Sequence, residues 1–594
     1  MSSDQRKDRR DRTRAAAVAA LLAFVTALAV LLATPDDGFW INDCGNKALV
    51  AKRLLETGFR DPHFDHPAVA VDPSARAFPI AAPFAVERPG GFLSSYPLAY
   101  AVLSAPFLAA FGPIGLRLPA AFGLAACAAS MVLWLAPAFG RRWALLGGLT
   151  LAFATPLFFY GVTLWEHSLT VALCLGAWGL LDRDSPARLF AAGWMLASAC
   201  WLREEIALMG VAVAIAVWLQ WRRPGVLLWL AAGAALPALA LLGVNEWLYG
   251  TPLGAHLAAS RAAGAEASGL SQSREVGALQ ALSSLLAGIG RHGGDRALLG
   301  TAALAAPALG WFAARHLRAA PPLAAVWALV AGVGLAAWGL AVTRMLGADQ
   351  PLDALVRHNG LLVQMPMVAL VGIGAAAFRD LDGVSLRVGV LSGSLFLLFT
   401  LIAGVGFGSG YGVQSGFGVH WGPRVLLPAL PALVALVVAA VRAGLASSTG
   451  AVVRTSCVAA TALLLAGLLS SGLATAFLAE QKRDASRFQR AVRAQPERFM
   501  LSTHPLLAQH LAGLWDDKPQ LLATDPASLA AAMAGLRAGG AAPFLLVVPA
   551  GAPAASLAGA TCTTVDRYRG DRLHYFDLDI QRCRFEREPR RRRK

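Results

Sequence analysis

The residues able to do chemistry in this chain gather in a few short polar breaks between long apolar runs. Asp43 and Lys47 lie in INDCGNKALVAKRLLETG, Glu166 and His167 in VTLWEHS, and Arg203 and Glu204 in WLREE. Asn245 opens the break NEWLYGTPL, Arg357 and His358 precede one apolar run, and His420 and Arg424 precede another in HWGPRVLLPALP. An acidic side chain in a helix's first turn is favoured by the macrodipole. Asp43 therefore reads as a cap as readily as a reactive carboxylate, with Lys47 as its i,i+4 partner. Glu166 and His167 sit at a membrane boundary, where an ionisable group costs free energy unless paired or hydrated. They are functional candidates, set against the plainer reading of a snorkelling interfacial pair. Arg203 needs a partner for the same reason. Glu204 or Glu205 can supply it locally, and a phosphate would suit a guanidinium fork as well. Arg203, Arg357, His420 and Arg424 could together converge on one anionic group.

Other chemistries lack their residues. No HExxH, no CxxC and no dense aspartate pattern is present, so no metal signature is visible and no cofactor is specified by the sequence. The stretch GFGSGYGVQSGFG lacks the Gly-Lys-Ser/Thr ending of a P-loop. Cys127, Cys174, Cys200 and Cys457 fall inside apolar runs and read as packing residues. Cys562 and Cys583 bracket TTVDRYRGDRLHYFDLDIQR, which reads as two strands around a turn at Arg569–Asp571. In an oxidising outer compartment these two cysteines are expected to form a disulfide.

The elements that must position these residues are mostly membrane spans. Of 594 residues 56% are hydrophobic and only 15% charged, with a mean hydropathy of +0.55. A soluble chain would carry charge on about a quarter of its residues. Apolar runs long enough to cross a bilayer recur from residue 15 to residue 477. The expected fold is a polytopic α-helical membrane protein. Its net charge of +16 is concentrated in part at the ends, in RKDRRDRTR and RRRRK. These read as a cytoplasmic flank and a solvated tail, not as a nucleic-acid surface.

Six short breaks carry paired arginines: Arg141/Arg142, Arg183/Arg188, Arg222/Arg223, Arg315/Arg318, Arg379/Arg387 and Arg442/Arg454. The positive-inside rule places them in the cytoplasm. Spans then fall at 15–33, 115–138, 143–161, 168–181, 189–202, 206–220, 225–243, 297–314, 321–342, 361–378, 387–405, 425–441 and 455–477, about thirteen transmembrane helices. Residues 1–14 form a basic cytoplasmic N-terminus and 15–477 the transmembrane domain, with a first outer loop at 34–94. Ser95 to Gly112 is apolar but short, holds two prolines, and reads as re-entrant or interfacial. Residues 478–594 form a small extracytoplasmic α/β domain with a basic tail, built from PQLLA, the helical DPASLAAAMAGLRAGG, PFLLVVP and the cysteine-bracketed strands. On this topology the acidic, histidine and glycine-rich breaks all face outward, and the lysines, Arg53 and Glu56 of the first outer helix form its solvated face.

The chain resembles the GT-C-fold glycosyltransferases, the polytopic superfamily that includes protein O-mannosyltransferases and lipid A aminoarabinose transferases. Asp43 with LLETG is similar to the acidic residue that opens a helix ending in Leu-x-x-Gly; YPLAYAVLSAPFLAAFG and Arg117–Pro119 resemble the elements that follow. Glu166, Arg203, NEWLYGTPL and GPRVLLPALP match further positions, although Pro423 separates Gly422 from Arg424 and valine stands where tyrosine is usual. The resemblance implies sugar transfer from a polyprenyl-phosphate carrier to an acceptor (protein, lipid or glycan) on the outer face of a bacterial inner membrane. It makes Asp43 the general base, with Glu166 orienting the acceptor or sharing that role. The outer cations would hold the carrier phosphate, and Lys47, His167, Glu204, Asn245 and His358 would support them. Two alternatives stand beside it. A transporter or lipid flippase would place polar residues near the midplane, often in repeated halves, whereas here they crowd one side without a clear repeat. An O-antigen ligase or polymerase would use a lipid-diphosphate donor, and the polar helix directly after the first span favours the GT-C reading over it.

Overall fold

A computed structural model describes residues 3–255, 305–316, 322–346, 360–378, 383–406, 424–541, 543–551, 557, 559–569 and 577–586 of the chain. From the N-terminus the helices run α1 (Ser3–Ala33), α2 (Asn42–Glu56), α3 (Ala99–Phe111), α4 (Leu118–Phe139), α5 (Arg141–Phe153), α6 (Leu157–Gly161), α7 (His167–Leu180) and α8 (Pro186–Cys200). They continue as α9 (Ile206–Trp221), α10 (Pro224–Tyr249), α11 (Pro322–Leu346), α12 (Val384–Gly406), α13 (Leu430–Leu445), α14 (Gly450–Ala494) and α15 (Pro526–Ala538). Among the described residues six stretches are long and apolar enough to cross a membrane: Arg6–Ala33, Ala99–Phe139, Pro224–Tyr249, Pro322–Thr343, Arg424–Leu445 and Gly450–Ala494. Shorter apolar helices at His167–Leu180, Ile206–Trp221, Pro366–Ala377 and Val384–Thr400 accompany them. The chain is a multi-pass membrane protein.

It divides into two units, one of Met1–Leu31 and Arg117–Ala476 and one of Leu32–Leu116 and Phe477–Lys594. In the first, polar side chains tie apolar helices together at buried and half-buried points. Ser168 Oγ on α7 donates to Ala120 O on α4 at 2.7 Å, and Cys127 Sγ returns to Ser168 O at 3.1 Å. Ser385 Oγ on α12 donates to Trp178 O at 2.6 Å, while Trp134 Nε1 donates to Ser385 O at 3.3 Å. Away from water each such bond satisfies a group that would otherwise be costly. Leu228, Leu236 and Leu239 on α10 and Leu21 and Val25 on α1 remain exposed, as lipid-facing residues should.

Several expected spans are interrupted. The 143–161 span breaks between α5 and α6, where Pro156 withholds the amide a continuous helix needs. The 361–378 span is a turn of helix, Leu361–Gln364, then a 3-10 segment beginning at Pro366, then Val371–Ala377. Within the expected re-entrant segment, α3 rises about 20 Å by itself, short of the ~30 Å hydrocarbon core, and ends at Gly112.

The second unit is built on a five-stranded sheet of order β4-β3-β5-β7-β6. Its strands are β3 (Met500–Ser502), β4 (Gln520–Leu522), β5 (Phe544–Pro549), β6 (Ala560–Tyr568) and β7 (Leu578–Phe585); the hairpin β1 (Ala85–Arg88) and β2 (Gly91–Ser94) precedes them in the chain. β3 lies parallel to β4 and β5, and β7 antiparallel to β5 and β6. Alternate residues of β5 face opposite layers. Phe544, Leu546 and Val548 pack with Ala532 and Leu536 of α15. Leu545 and Val547 pack with Phe488 and Val492 of α14 and with Leu507, Leu511 and Leu514. Asp525 caps α15 through a reciprocal box with Ser528. Cys562 and Cys583 are direct partners across β6 and β7 and are joined by a disulfide.

Residues 34–94 belong to this unit. Ala68, Val71 and Ala77 enter the core on the α15 side of the sheet. The Leu522 amide donates to Ala77 O at 2.9 Å, and Phe78 stacks on Phe92 of the hairpin at 3.9 Å. The expected span 455–477 lies within a longer helix, α14, whose final turns to Ala494 bury the polar residues Gln481, Lys482, Asp484, Ser486 and Gln489.

Candidate active site

Two clusters of ionisable side chains, one in each unit, contain most of the residues singled out above. The first is built on α2. Asp43 falls in its opening turn, where the N-cap residue Ile41 offers no side-chain acceptor. The Asp43 carboxylate accepts a hydrogen bond from the Tyr96 hydroxyl, and that hydroxyl accepts from Asn42 Nδ2 at 3.2 Å. Asn46, one turn further, donates to Phe84 O at 3.1 Å. Asn42, Asp43, Asn46 and Lys47 are all buried.

Lys47 departs from the solvated face expected of it. Its side chain is 3% exposed, with Nζ 5.6 Å from the Tyr96 ring centre and 5.8 Å from that of Tyr100. Ring faces replace part of the water that a lysine on an open helix would keep. Lys52, Arg53 and Glu56 do reach the surface, where Arg53 pairs with Asp61 at 2.7 Å. Sequence reasoning missed Tyr96 and Asn42. The available signal for Tyr96 was a polar-tipped ring directly before a proline in an apolar stretch.

The second cluster sits at the hairpin joining α8 to α9. Arg203 Nη1 donates to Glu166 Oε1 at 3.2 Å, and its Nε donates to Glu205 Oε1 at 2.7 Å. Arg203 thus reaches two carboxylates, one of them local as the sequence allowed, so its proposed role on a phosphate competes with bonds already present. Glu204 is pushed up to about 7 by burial and by the charge of Glu205, with Arg203 pulling the other way. That value leaves its carboxyl able to hold or release a proton near neutral pH. The break NEWLYGTPL closes over it. Asn245 Nδ2 donates to Pro252 O at 3.2 Å, and a Cβ at Gly254 would lie 2.7 Å from Glu204 Oε1.

Beside this pair, His167 stands in an aromatic group with Tyr160 and Trp165, neither of which the sequence offered as a candidate. Tyr160 stacks on Trp165 at 5.2 Å, and His167 lies 4.6 Å from the Tyr160 ring and 5.3 Å from that of Trp165. The guanidinium carbon of Arg424 lies 6.0 Å over Trp165. Glu166, His167, Arg203, Glu204, Asn245 and Arg424 therefore all belong to the first unit, as Asp43 and Lys47 belong to the second. Arg357, His358 and His420 lie outside the described residues, and among the described residues no group of three or more His, Cys, Asp or Glu could hold a metal ion.

No protein-family model matches the chain, and no curated protein matches it. Among solved structures it is similar to ArnT from Cupriavidus metallidurans in the apo state, at 14% identity, 95% coverage of this chain and 97% of that one, with a TM-score of 0.42. The same enzyme bound to undecaprenyl phosphate is 12% identical over 95% and 97% of the two chains, with a TM-score of 0.41. The oligosaccharyltransferase of Archaeoglobus fulgidus in its apo form is 11% identical, covering 89% of this chain and 69% of that one, with a TM-score of 0.48.

Proposed function

We propose that the chain is a membrane glycosyltransferase of the GT-C kind, which moves a sugar from a polyprenyl-phosphate donor to an acceptor hydroxyl on the extracytoplasmic face. The observation that carries the reading is Asp43: a buried carboxylate in the first turn of the helix after the first apolar run, held by the Tyr96 hydroxyl. An acidic residue at that place in the chain is also one of the positions that carry the motif resemblance.

In this reading the acceptor oxygen bonds to the anomeric carbon as the bond from that carbon to the carrier phosphate breaks. The Asp43 carboxylate takes the hydroxyl proton, and the polyprenyl phosphate leaves with the electron pair. Cations lower the barrier by meeting the charge that grows on the leaving oxygen. That task goes to Arg424, with Arg357 and His420. Arg203 is better used as the group that holds Glu166 in place, because its Nε and Nη1 already donate to carboxylates.

The test is a membrane assay with labelled polyprenyl-phosphate sugars, comparing the native chain with Asp43→Asn and Arg424→Ala. Loss of a general base is expected to lower transfer by roughly 10²–10⁴-fold. Native rates in Asp43→Asn would remove the proposed base, and transfer independent of any polyprenyl-phosphate donor would remove the reaction class.

A further inference from the structure

The backbone that leads into α2 is held in an unusual way. Asp37, Gly38 and Phe39 form no helix or strand, and each of their three consecutive carbonyls accepts a hydrogen bond from a side chain of the C-terminal segment. Gln489 Nε2 donates to Asp37 O, Lys482 Nζ to Gly38 O, and His510 Nδ1 to Phe39 O at 3.0 Å. The partners lie between 444 and 471 residues away along the chain. Gln489 also donates to His510 O at 3.0 Å, so two of the three are tied to each other.

These are costly groups to bury. Lys482 is 5% exposed, His510 6% and Gln489 0%. A connector needing only to be covered would be served more cheaply by apolar side chains, since a buried ammonium or amide must be matched by good acceptors. Here the acceptors are backbone oxygens at fixed spacing, which sets where the chain runs and not merely that it is covered. A carbonyl can only accept, so His510 must carry its proton on Nδ1 and sits as one tautomer.

Two close backbone approaches reinforce the hold on either side of Asp43. A Cβ at Gly38 would come within 2.2 Å of Lys482 O, and one at Gly45 within 1.9 Å of Gln509 O. Neither position accepts a larger residue without the backbone moving. Asp43 lies between them, four residues after the last clamped carbonyl.

We propose that Lys482, Gln489 and His510 are positioning residues that fix the start of α2 and thereby aim the Asp43 carboxylate. The C-terminal module is then part of the catalytic apparatus through its grip on residues 37–39, and not an accessory domain. This rests on the reading of Asp43 as the base.

The full chain in nanodiscs is compared with His510→Leu, His510→Asn and Gln489→Leu. The Asn amide can donate where His510 Nδ1 does; the leucines cannot. Loss of one such bond is expected to lower kcat about tenfold, with KM for the donor little changed, and His510→Asn should recover most of the loss. Amide hydrogen exchange should quicken at residues 38–46 in the leucine variants while β5 stays protected, which separates loosening of the clamp from unfolding of the module. Faster exchange at 38–46 with a native kcat would overturn the proposal, as would a His510→Asn chain no better than His510→Leu. If β5 also loses protection in His510→Leu, Gln489→Leu decides by the same criteria. Asp43→Asn is measured first: native transfer there sinks the base assignment and the clamp with it, whereas loss there with native rates in both leucine variants sinks the clamp alone.

Discussion

Replacing Arg203 by methionine keeps the length and apolar stem of the side chain and removes the cation that lies between Glu166 and Glu205. Glu166 is 1% exposed and Arg203 8%, so the Glu166 charge would be left without its guanidinium in a place water hardly reaches. Breaking a buried pair by removing one partner costs about 3–5 kcal/mol. Glu205 contributes less of that, since its side chain is 24% exposed and can turn towards solvent. The unit holding the cluster has about 390 residues. At an unfolding entropy of roughly 2.1 cal/mol/K per residue, a loss of 3–5 kcal/mol lowers its midpoint by about 4–6 °C.

The assay is thermal unfolding of the full chain in nanodiscs, followed by tryptophan fluorescence. Adding Glu166→Gln to Arg203→Met neutralises the stranded carboxylate, so the double variant should melt above the single Arg203→Met variant despite carrying one more change. Arg203→Met melting within about 1 °C of the native chain would show that the guanidinium is not what makes the buried carboxylate tolerable. A double variant that melts below the single one would refute the pairing itself.

Further expectations concern the second unit. Tyr96→Phe removes the hydroxyl bonded to the Asp43 carboxylate; a hydrogen bond to a charged group is worth about 1.5–3 kcal/mol, so kcat for sugar transfer should fall roughly 10- to 150-fold, and an unchanged kcat would remove Tyr96 from the mechanism. Cys562→Ser with Cys583→Ser opens a loop with a sequence separation of 21 and should destabilise the module by about 3 kcal/mol, read as faster amide exchange in β6 and β7. Burial, with His504 nearby, lowers His510 to about 4, against the opposing bond to Phe39 O. Its folded value is thus below the unfolded 6.5, so its stabilisation is complete above about pH 6.5 and is lost as pH falls towards 4, by about 3 kcal/mol at most. His510→Asn should flatten that part of the pH–stability curve, and an unaltered curve would show that other groups set it.

Much of the architecture could be read from residue pattern because apolar periodicity reports burial or lipid contact directly. PQLLA and PFLLVVP became β4 and β5, DPASLAAAMAGLRAGG became α15 behind its Asp525 cap, and the cysteine-bracketed segment became β6 and β7. The grouping of residues 34–94 with that module was not readable. Ala68, Val71 and Ala77 reach the core from turns, with no period to mark them. Likewise the interruption of 361–378 rests on Pro366, which hydropathy averages away.

For the site, residue types were legible and partners were not. Glu205 as a partner of Arg203 was available because it lies two residues away; the Glu166 bond joins residues 37 apart. Lys47 was assigned to a solvated face, and Lys482, Gln489 and His510 drew no reading at all, for one shared reason. In a chain with so much apolar sequence, a lysine or glutamine outside a span looks like water-facing surface, because hydropathy scores a side chain by its cost of transfer and not by the acceptor it will meet. The second unit reverses that expectation by offering backbone carbonyls and aromatic faces at fixed places. A buried polar residue is then informative in proportion to what it holds, and Lys482, Gln489 and His510 hold the three peptide groups that precede the helix of Asp43.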